Sequence, residues 1–262
     1  MKITLYYFTG TGNCLQVAKE LSANLGDCCT QRIFADTLPE TDADVIGFIF
    51  PVYLWGMPLI VERFLEQLPV AMEDKYLFAV ATYMCQPGAV MRHVVRTLKR
   101  TYNKLSAGFV VEMPGNNIIY YEVEPEAEQS RKTQACRKRA EEIAAIVNQK
   151  ETYISHNSPI QTLLFTGFLH GMLSSQFEKS DRNFRANDNC THCSICEKIC
   201  PMGNIILVNG YPNWQHHCQQ CTACLNACPS AAIQYGKTTV GKRRYINKTC
   251  GISSLLETHR SE

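Results

Sequence analysis

Eight cysteines carry the most specific chemistry in the chain. Cys190, Cys193, Cys196 and Cys200 are followed by Pro201, and Cys218, Cys221, Cys224 and Cys228 by Pro229. Each run has two-residue gaps between its first three cysteines and a three-residue gap before the fourth, which is the spacing of thiolate ligands to a pair of [4Fe–4S] clusters. Thiolate sulfur is the soft donor such iron sites take, and short spacers let three sulfurs of one loop reach one cluster. In this pattern the fourth cysteine is carried to the other cluster. Cys190, Cys193, Cys196 and Cys228 are therefore expected to hold one cluster, and Cys218, Cys221, Cys224 and Cys200 the second. A zinc site would use two cysteine pairs and a longer gap, and a disulfide framework would need a secretory setting.

The runs form an internal repeat. A shift of 28 residues maps Cys190 onto Cys218, Pro201 onto Pro229 and Ile205 onto Ile233. Six further cysteines (Cys14, Cys28, Cys29, Cys85, Cys136 and Cys250) show no metal-ligand spacing and read as ordinary reduced thiols. That usage predicts a reducing, cytoplasmic setting. His192 and the pair His216-His217 flank the cysteines and read as loop-orienting groups rather than iron ligands.

A net charge of +2 gives no pull toward nucleic acid or an anionic membrane. With 262 residues, 45% hydrophobic, the chain can bury a sizeable core in one or two domains. The apolar run Ile3 to Phe8 is too short for a signal peptide and ends in a glycine loop. Leu163 to Leu173 is too short to span a bilayer and reads as a helix docking two halves together, ahead of one lying on a membrane surface. Oligomeric state is not readable.

The elements ahead of the cysteines must position something too. Ile3–Phe8 reads as a strand buried on both faces, followed by Thr9-Gly10-Thr11-Gly12-Asn13-Cys14 and a helix with Leu15, Ala18, Leu21 and Leu25 on one face. A strand, a small-residue loop and a helix N-terminus make a phosphate cradle, with a tight capped turn as the lesser alternative. Strands are expected at Gln31–Phe34, Asp44–Phe50, Lys75–Thr82 and Gly108–Glu112, with helices at Leu59–Leu68, Ala89–Arg100 and Glu126–Asn148. Five strands alternating with helices predict an α/β fold, a doubly wound parallel sheet in the order 2-1-3-4-5 with its ligand at the carboxyl ends of the strands.

Three strand-end loops then share one mouth: Thr9 to Cys14; Pro51, Val52, Tyr53, Leu54, Trp55, Gly56, Met57 and Pro58; and Thr82, Tyr83, Met84, Cys85, Gln86, Pro87 and Gly88. Tyr53, Trp55 and Tyr83 beside a phosphate cradle suit a planar aromatic ligand that bears a phosphate. Pro114-Gly115-Asn116-Asn117 follows the fifth strand and can border the same site.

Residues 1–149 resemble a flavodoxin through Thr9-Gly10-Thr11-Gly12-Asn13, and the resemblance implies FMN as ligand. Cys14 stands where that family has Thr or Ser, and Met84 where it often has Gly. Residues 186–236 resemble a bacterial two-cluster ferredoxin, a small α+β unit. Residues 150–185 would be a connector and 237–262 a basic tail. Its Lys237, Lys242, Arg243, Arg244 and Lys248 read as a solvated face or a docking surface for an acidic partner. The whole chain is similar to flavodoxin–ferredoxin fusion proteins. That implies electron transfer among two [4Fe–4S] clusters, FMN and an external redox protein. An FMN-dependent reductase of a small substrate, and a redox sensor or maturation factor without turnover, are the alternatives. No general acid for a reductase stands out.

Overall fold

The computed structural model describes residues 1–70, 72, 74–155 and 177–257. The Leu163–Leu173 segment read as a docking helix lies outside them. The chain opens as β1 (Ile3–Tyr7), α1 (Asn13–Leu25), β2 (Cys28–Arg32), β3 (Val45–Pro51), α2 (Leu59–Glu66) and β4 (Tyr76–Tyr83). It continues as α3 (Val90–Arg100), β5 (Ala107–Glu112), α4 (Glu126–Asn148) and β6 (Tyr153–Ile154). All six strands are parallel, in the order β2-β1-β3-β4-β5-β6. The first five follow the expected flavodoxin-like 2-1-3-4-5 order. α1 packs against α4 and α2 against α3, covering the two faces. That double cover is why β1, β3 and β4 are apolar almost without interruption.

Two details differ from the sequence reading. β2 lies at Cys28–Arg32, upstream of the expected Gln31–Phe34, because this edge strand is half-exposed and its apolar neighbours Ile33 and Phe34 are buried only after it ends. A sixth strand, β6, falls in the stretch read as connector; it pairs with β5, and Tyr153 stacks on Phe109 with ring centroids 5.1 Å apart.

The cysteine-bearing unit begins with a 3-10 turn (Phe177–Asn183) and β7 (Phe184–Ala186), which pairs antiparallel with β10 (Ile233–Tyr235). Between them lie α5 (Ile195–Ile199), the hairpin of β8 (Ile205–Val208) and β9 (Tyr211–Trp214), and α6 (Ala223–Ala227). A last helix, α7, spans Gly251–Glu257. The two units share their cores. Ile199, Cys221, Ala223, Ala227, Cys250 and Leu255 join the core of the sheet, while Ile118, Ile119 and Val123 from the loop after β5 pack with Phe184, Leu225 and Ile233. Shared apolar burial of this kind holds two units in one relative orientation.

Candidate functional site

The 28-residue repeat is written into the backbone of the cysteine loops. α5 maps onto α6 end for end, and the left-handed residues recur at the same offsets: His192 and Gln220 (φ 56° and 51°), Ser194 and Thr222 (60° and 58°), Gly203 and Ala231 (58° and 50°). Cys200 and Cys228 close their helices with matching angles, φ −69° and −68°. Left-handed residues interleaved with right-handed ones turn successive N–H groups inward, the concavity that anionic iron–sulfur clusters occupy. Two such groups reach sulfur: Gln220 N–H donates to Cys218 Sγ at 3.1 Å and Asn204 N–H to Cys200 Sγ at 3.3 Å.

The thiols fall into two neighbourhoods. Cys190, Cys193, Cys196 and Cys228 line one small cavity. Burial pushes the Cys196 thiol up to about 11, with Cys193 and Cys228 adding to the rise. Burial likewise pushes Cys221 up to about 12, and its next largest influence is Cys200. Cys218 is raised by burial, then by Cys221 and Cys200, and Cys224 by burial, then by Cys218, Cys200 and Cys221. Each fourth cysteine thus sits with the other run's first three. Among the described residues no three His, Cys, Asp or Glu side chains converge as ligands of a single ion.

A buried carboxylate orders the entry to the second run. Asp181, 1% exposed, accepts from Asn204 Nδ2 at 2.8 Å and from the His216 N–H at 2.9 Å, and His216 Nδ1 lies 2.8 Å from its other oxygen. His216 therefore holds its loop, as the sequence suggests, and His192 Nδ1 meets Gly210 O at 2.9 Å.

At the carboxyl ends of the strands lies a cleft of about 790 Å3. Thr9, Gly10, Asn13 and Cys14 line it from the first loop, Pro51, Val52, Tyr53 and Trp55 from the second, and Thr82, Tyr83 and Met84 from the third. Pro114, Gly115, Asn116 and Asn117 border it as expected. Gly56 and Gly88 shape the wall instead of lining it. Gly56 exchanges N–H···O bonds with Tyr53 across a turn whose Leu54 and Trp55 are left-handed. Gly88, at φ 57°, leaves room for Trp55, whose Cβ lies 2.4 Å from where a Gly88 methyl would stand. Met84 fits because Gly115 has no side chain: a Cβ there would meet Met84 Sδ at 2.1 Å. Cys14 is a buried, neutral thiol pushed up to about 12 by burial, with Sγ 3.2 Å from Thr82 Oγ1. Among the described residues, the N–H groups of Gly10, Thr11, Asn13 and Cys14 meet no acceptor in this buried loop. Buried orphan donors at a helix N-terminus fit a phosphate.

Thr11 and Gly12 do not line the cleft, and the C-terminal unit packs against them. Asn247 donates from its backbone to Thr11 O at 2.8 Å, and its Nδ2 reaches Gln16 Oε1 at 2.8 Å. Tyr245 Oη donates to Asn13 Oδ1 at 2.7 Å. Asn116 bridges the units, accepting at its carbonyl from Thr222 Oγ1 and Asn226 Nδ2 and donating from its amide to Thr11 Oγ1. Gly10 is seated on the second cysteine run, where a Cβ would stand 2.2 Å from Cys221 O. Gln220 and Tyr235 line the cleft from the same unit. The Tyr53 hydroxyl is raised well above the usual phenol range by burial, then by Cys221, Cys14 and Cys218. Sequence reasoning missed Gln220, Tyr235, Tyr245 and Asn247, whose roles arise only from docking. The basic run is engaged too: Arg243 Nη2 donates to Val123 O at 2.7 Å, Lys242 pairs with Glu122, and Lys248 pairs with Glu126.

Residues 187–203 and 215–236 match a 4Fe-4S binding domain family. The chain joins a flavodoxin-like sheet to a 4Fe–4S segment. No curated protein matches it significantly. Similar solved structures include a flavodoxin from the domain Archaea (15% identity, 56% of this chain and 99% of that one, TM-score 0.39). Others are the two-electron reduced Megasphaera elsdenii flavodoxin (20%, 55% and 98%, 0.37) and a flavoprotein in complex with FMN from Lactobacillus acidophilus NCFM (12%, 42% and 91%, 0.35). Among the described residues no helix is long and apolar enough to cross a membrane.

Two predictions follow from the walls of this flavodoxin-like unit. Alkylation of native protein at pH 8 should mark the exposed Cys29 and Cys85 and spare Cys14 and Cys136, which are buried and pushed up to about 12 by that burial. Peptide mass spectrometry reads this directly, and early labelling of Cys14 would show that the cleft floor opens. Lys132 Nζ is almost enclosed behind the third loop, 2.7 Å from Glu124 and 3.3 Å from Glu112, and donates to Met84 O. Lys132→Met strands Glu124 and should cost about 2 kcal/mol in a urea melt. An unchanged midpoint would mean the pair is fully solvated.

Proposed function

We propose that this chain is an electron carrier. Its C-terminal unit holds two [4Fe–4S] clusters, its cleft holds FMN, and electrons pass between these and an external redox protein in a reducing compartment such as the cytoplasm. Cys190, Cys193, Cys196 and Cys228 would hold the first cluster and Cys218, Cys221, Cys224 and Cys200 the second. The orphan N–H groups of the first loop would take the phosphate, and Tyr53, Trp55 and Tyr83 would flank the ring. Bound FMN holds one or two electrons and so links the one-electron clusters to either kind of partner. The observation that carries the reading is the seating of Gly10 on Cys221 O, with Gln220 in the cleft wall. The loop that would cradle the flavin phosphate touches the loop that would ligate the second cluster. The first set opens outward, with Cys193 exposed. Electrons entering there would reach the cleft through the second set, without a diffusive encounter between the two units.

The test is an anaerobic redox titration of the purified chain followed by optical and EPR spectra, with iron and flavin counted on the same sample. Two clusters and one FMN, with the flavin reduced through the clusters by a low-potential donor, are expected. Clusters without flavin, even when FMN is supplied, would overturn the phosphate-loop reading and leave the sheet as a partner-binding unit. Rapid reoxidation by a small organic substrate would make the chain a reductase instead.

A further inference from the structure

Two arginines outside the cysteine runs lie at their edges, Arg32 buried and Arg244 half-buried. Arg32 closes β2 and is 3% exposed. Its Nη1 donates to Leu255 O at 2.7 Å, and its Nη2 to Thr9 O at 3.2 Å and Ile199 O at 3.3 Å. It therefore bridges the first loop of the cleft and the residue before Cys200. Arg244 comes from the basic run. Its Nη2 donates to Ile233 O at 3.0 Å and Ala231 O at 3.4 Å, just past Cys228, while its Nε and Nη1 are buried with no acceptor among the described residues.

A guanidinium keeps its charge inside a protein, and burying one is unfavourable unless an anion lies close by. Burial lowers the pKa of both arginines. The groups that oppose it are Tyr7, Cys221 and Cys200 at Arg32, and Cys228 and Cys224 at Arg244. Arg32 donates to the residue before Cys200 and to Thr9, next to the Gly10 that is seated on Cys221, and so lies at the second set of thiols. Arg244 faces one thiol of each set, and the two N–H groups it leaves without acceptors are suited to sulfur. A thiolate-ligated cluster carries net negative charge that grows by one on reduction, so a fixed cation or an N–H donor favours the reduced form.

We propose that Arg32 and Arg244 set the reduction potentials of the two clusters, Arg32 acting on the cluster of Cys200, Cys218, Cys221 and Cys224, and Arg244 on both. The inference rests on the two-cluster reading above. The inner cluster, that beside the cleft, thus has two cations near it and the outer cluster one, and on the inner side they act against the buried carboxylate of Asp181, which adds to the rise of the Cys218 thiol.

The experiment is an EPR-monitored potentiometric titration of the full chain and its R32Q, R32K, R244Q and R244K variants, purified anaerobically with iron and sulfide counted. R32Q should lower the reduced-to-oxidised ratio of the inner cluster about tenfold at fixed potential, a shift of about 59 mV for one electron, and leave the outer cluster within twofold of wild type. R244Q should lower both, and the lysine variants should stay within twofold. Gln variants that titrate like wild type, or an R32Q that moves both clusters equally, would overturn the assignment. If R32Q does not retain iron, R244Q decides alone, since its guanidinium is only half-buried. Wild-type protein with iron for fewer than two clusters would overturn the underlying reading instead, which keeps the two failures apart.

Discussion

Gly10→Ala should unseat the first loop of the cleft from the cysteine-bearing unit, weakening flavin binding at least tenfold and destabilising the fold by about 3 kcal/mol. The added methyl would stand 2.2 Å from Cys221 O and 3.3 Å from Cys221 Cβ. The first of these is a backbone atom, so no side chain can swing aside to relieve it. Either the Thr9–Asn13 loop retreats, dragging the orphan N–H groups out of register, or the Cys221 turn shifts and disturbs the second set of thiols. For a unit of this size the loss corresponds to a fall in melting temperature of about 6–12 °C. Thermal denaturation and FMN titration on the same preparations check both halves. Gly26 is the control: its φ is positive (87°, with ψ −123°) but it has nothing within 4 Å of its missing Cβ, so Gly26→Ala should cost about 1–3 kcal/mol of backbone strain and spare the flavin. Equal flavin affinity in the two variants would mean that the junction is loosely packed.

Most of the sheet is legible in the sequence because its signals are strong and local. β1, β3 and β4 are continuous apolar runs, and Val90, Val94 and Leu98, like Ala140, Ile143, Ala144 and Val147, fall on buried helix faces as their spacing predicts. The misses come where burial is partial or an element is too short to show a period. β2 is an edge strand with Cys29 and Thr30 exposed, so the apolar Ile33 and Phe34 draw the eye past its end. β6 is a two-residue pairing held by the Tyr153–Phe109 stack, which no periodicity can announce.

The candidate sites divide along the same line. Ligand spacing and the 28-residue repeat are properties of the chain itself, and the recurring left-handed residues are their backbone expression. The cleft loops are local too, since strand ends carry them. What the sequence cannot express is the docking. Tyr245 and Asn247 reach Asn13 across more than 230 residues of chain, with separations of 232 and 234. Gln220 enters the cleft wall only because Gly10 lets Cys221 approach. The basic run shows the same limit from the other side: its lysines and arginines look like a face for an external partner until Arg243 and Arg244 are seen bonded to carbonyls of this chain.

The proposed crossed ligation has one decisive signature. Cys200→Ala should remove the same cluster as Cys221→Ala, although Cys200 lies in the other cysteine run. The reason is proximity: Cys200 is among the groups that raise the Cys218, Cys221 and Cys224 thiols, whereas Cys228 shares a cavity with Cys190, Cys193 and Cys196. Each single variant should lose half of the wild-type iron and sulfide, because a cubane with one ligand missing is exposed to exchange and oxidation. The surviving EPR signal then identifies the owner. Cys200→Ala and Cys221→Ala should leave matching spectra from the outer cluster, and Cys228→Ala and Cys193→Ala matching spectra from the inner one. A Cys200→Ala spectrum that matches Cys193→Ala instead would mean that each run ligates its own cluster. In that case the N–H group of Asn204, 3.3 Å from Cys200 Sγ, would be tuning the outer cluster rather than the one beside the cleft.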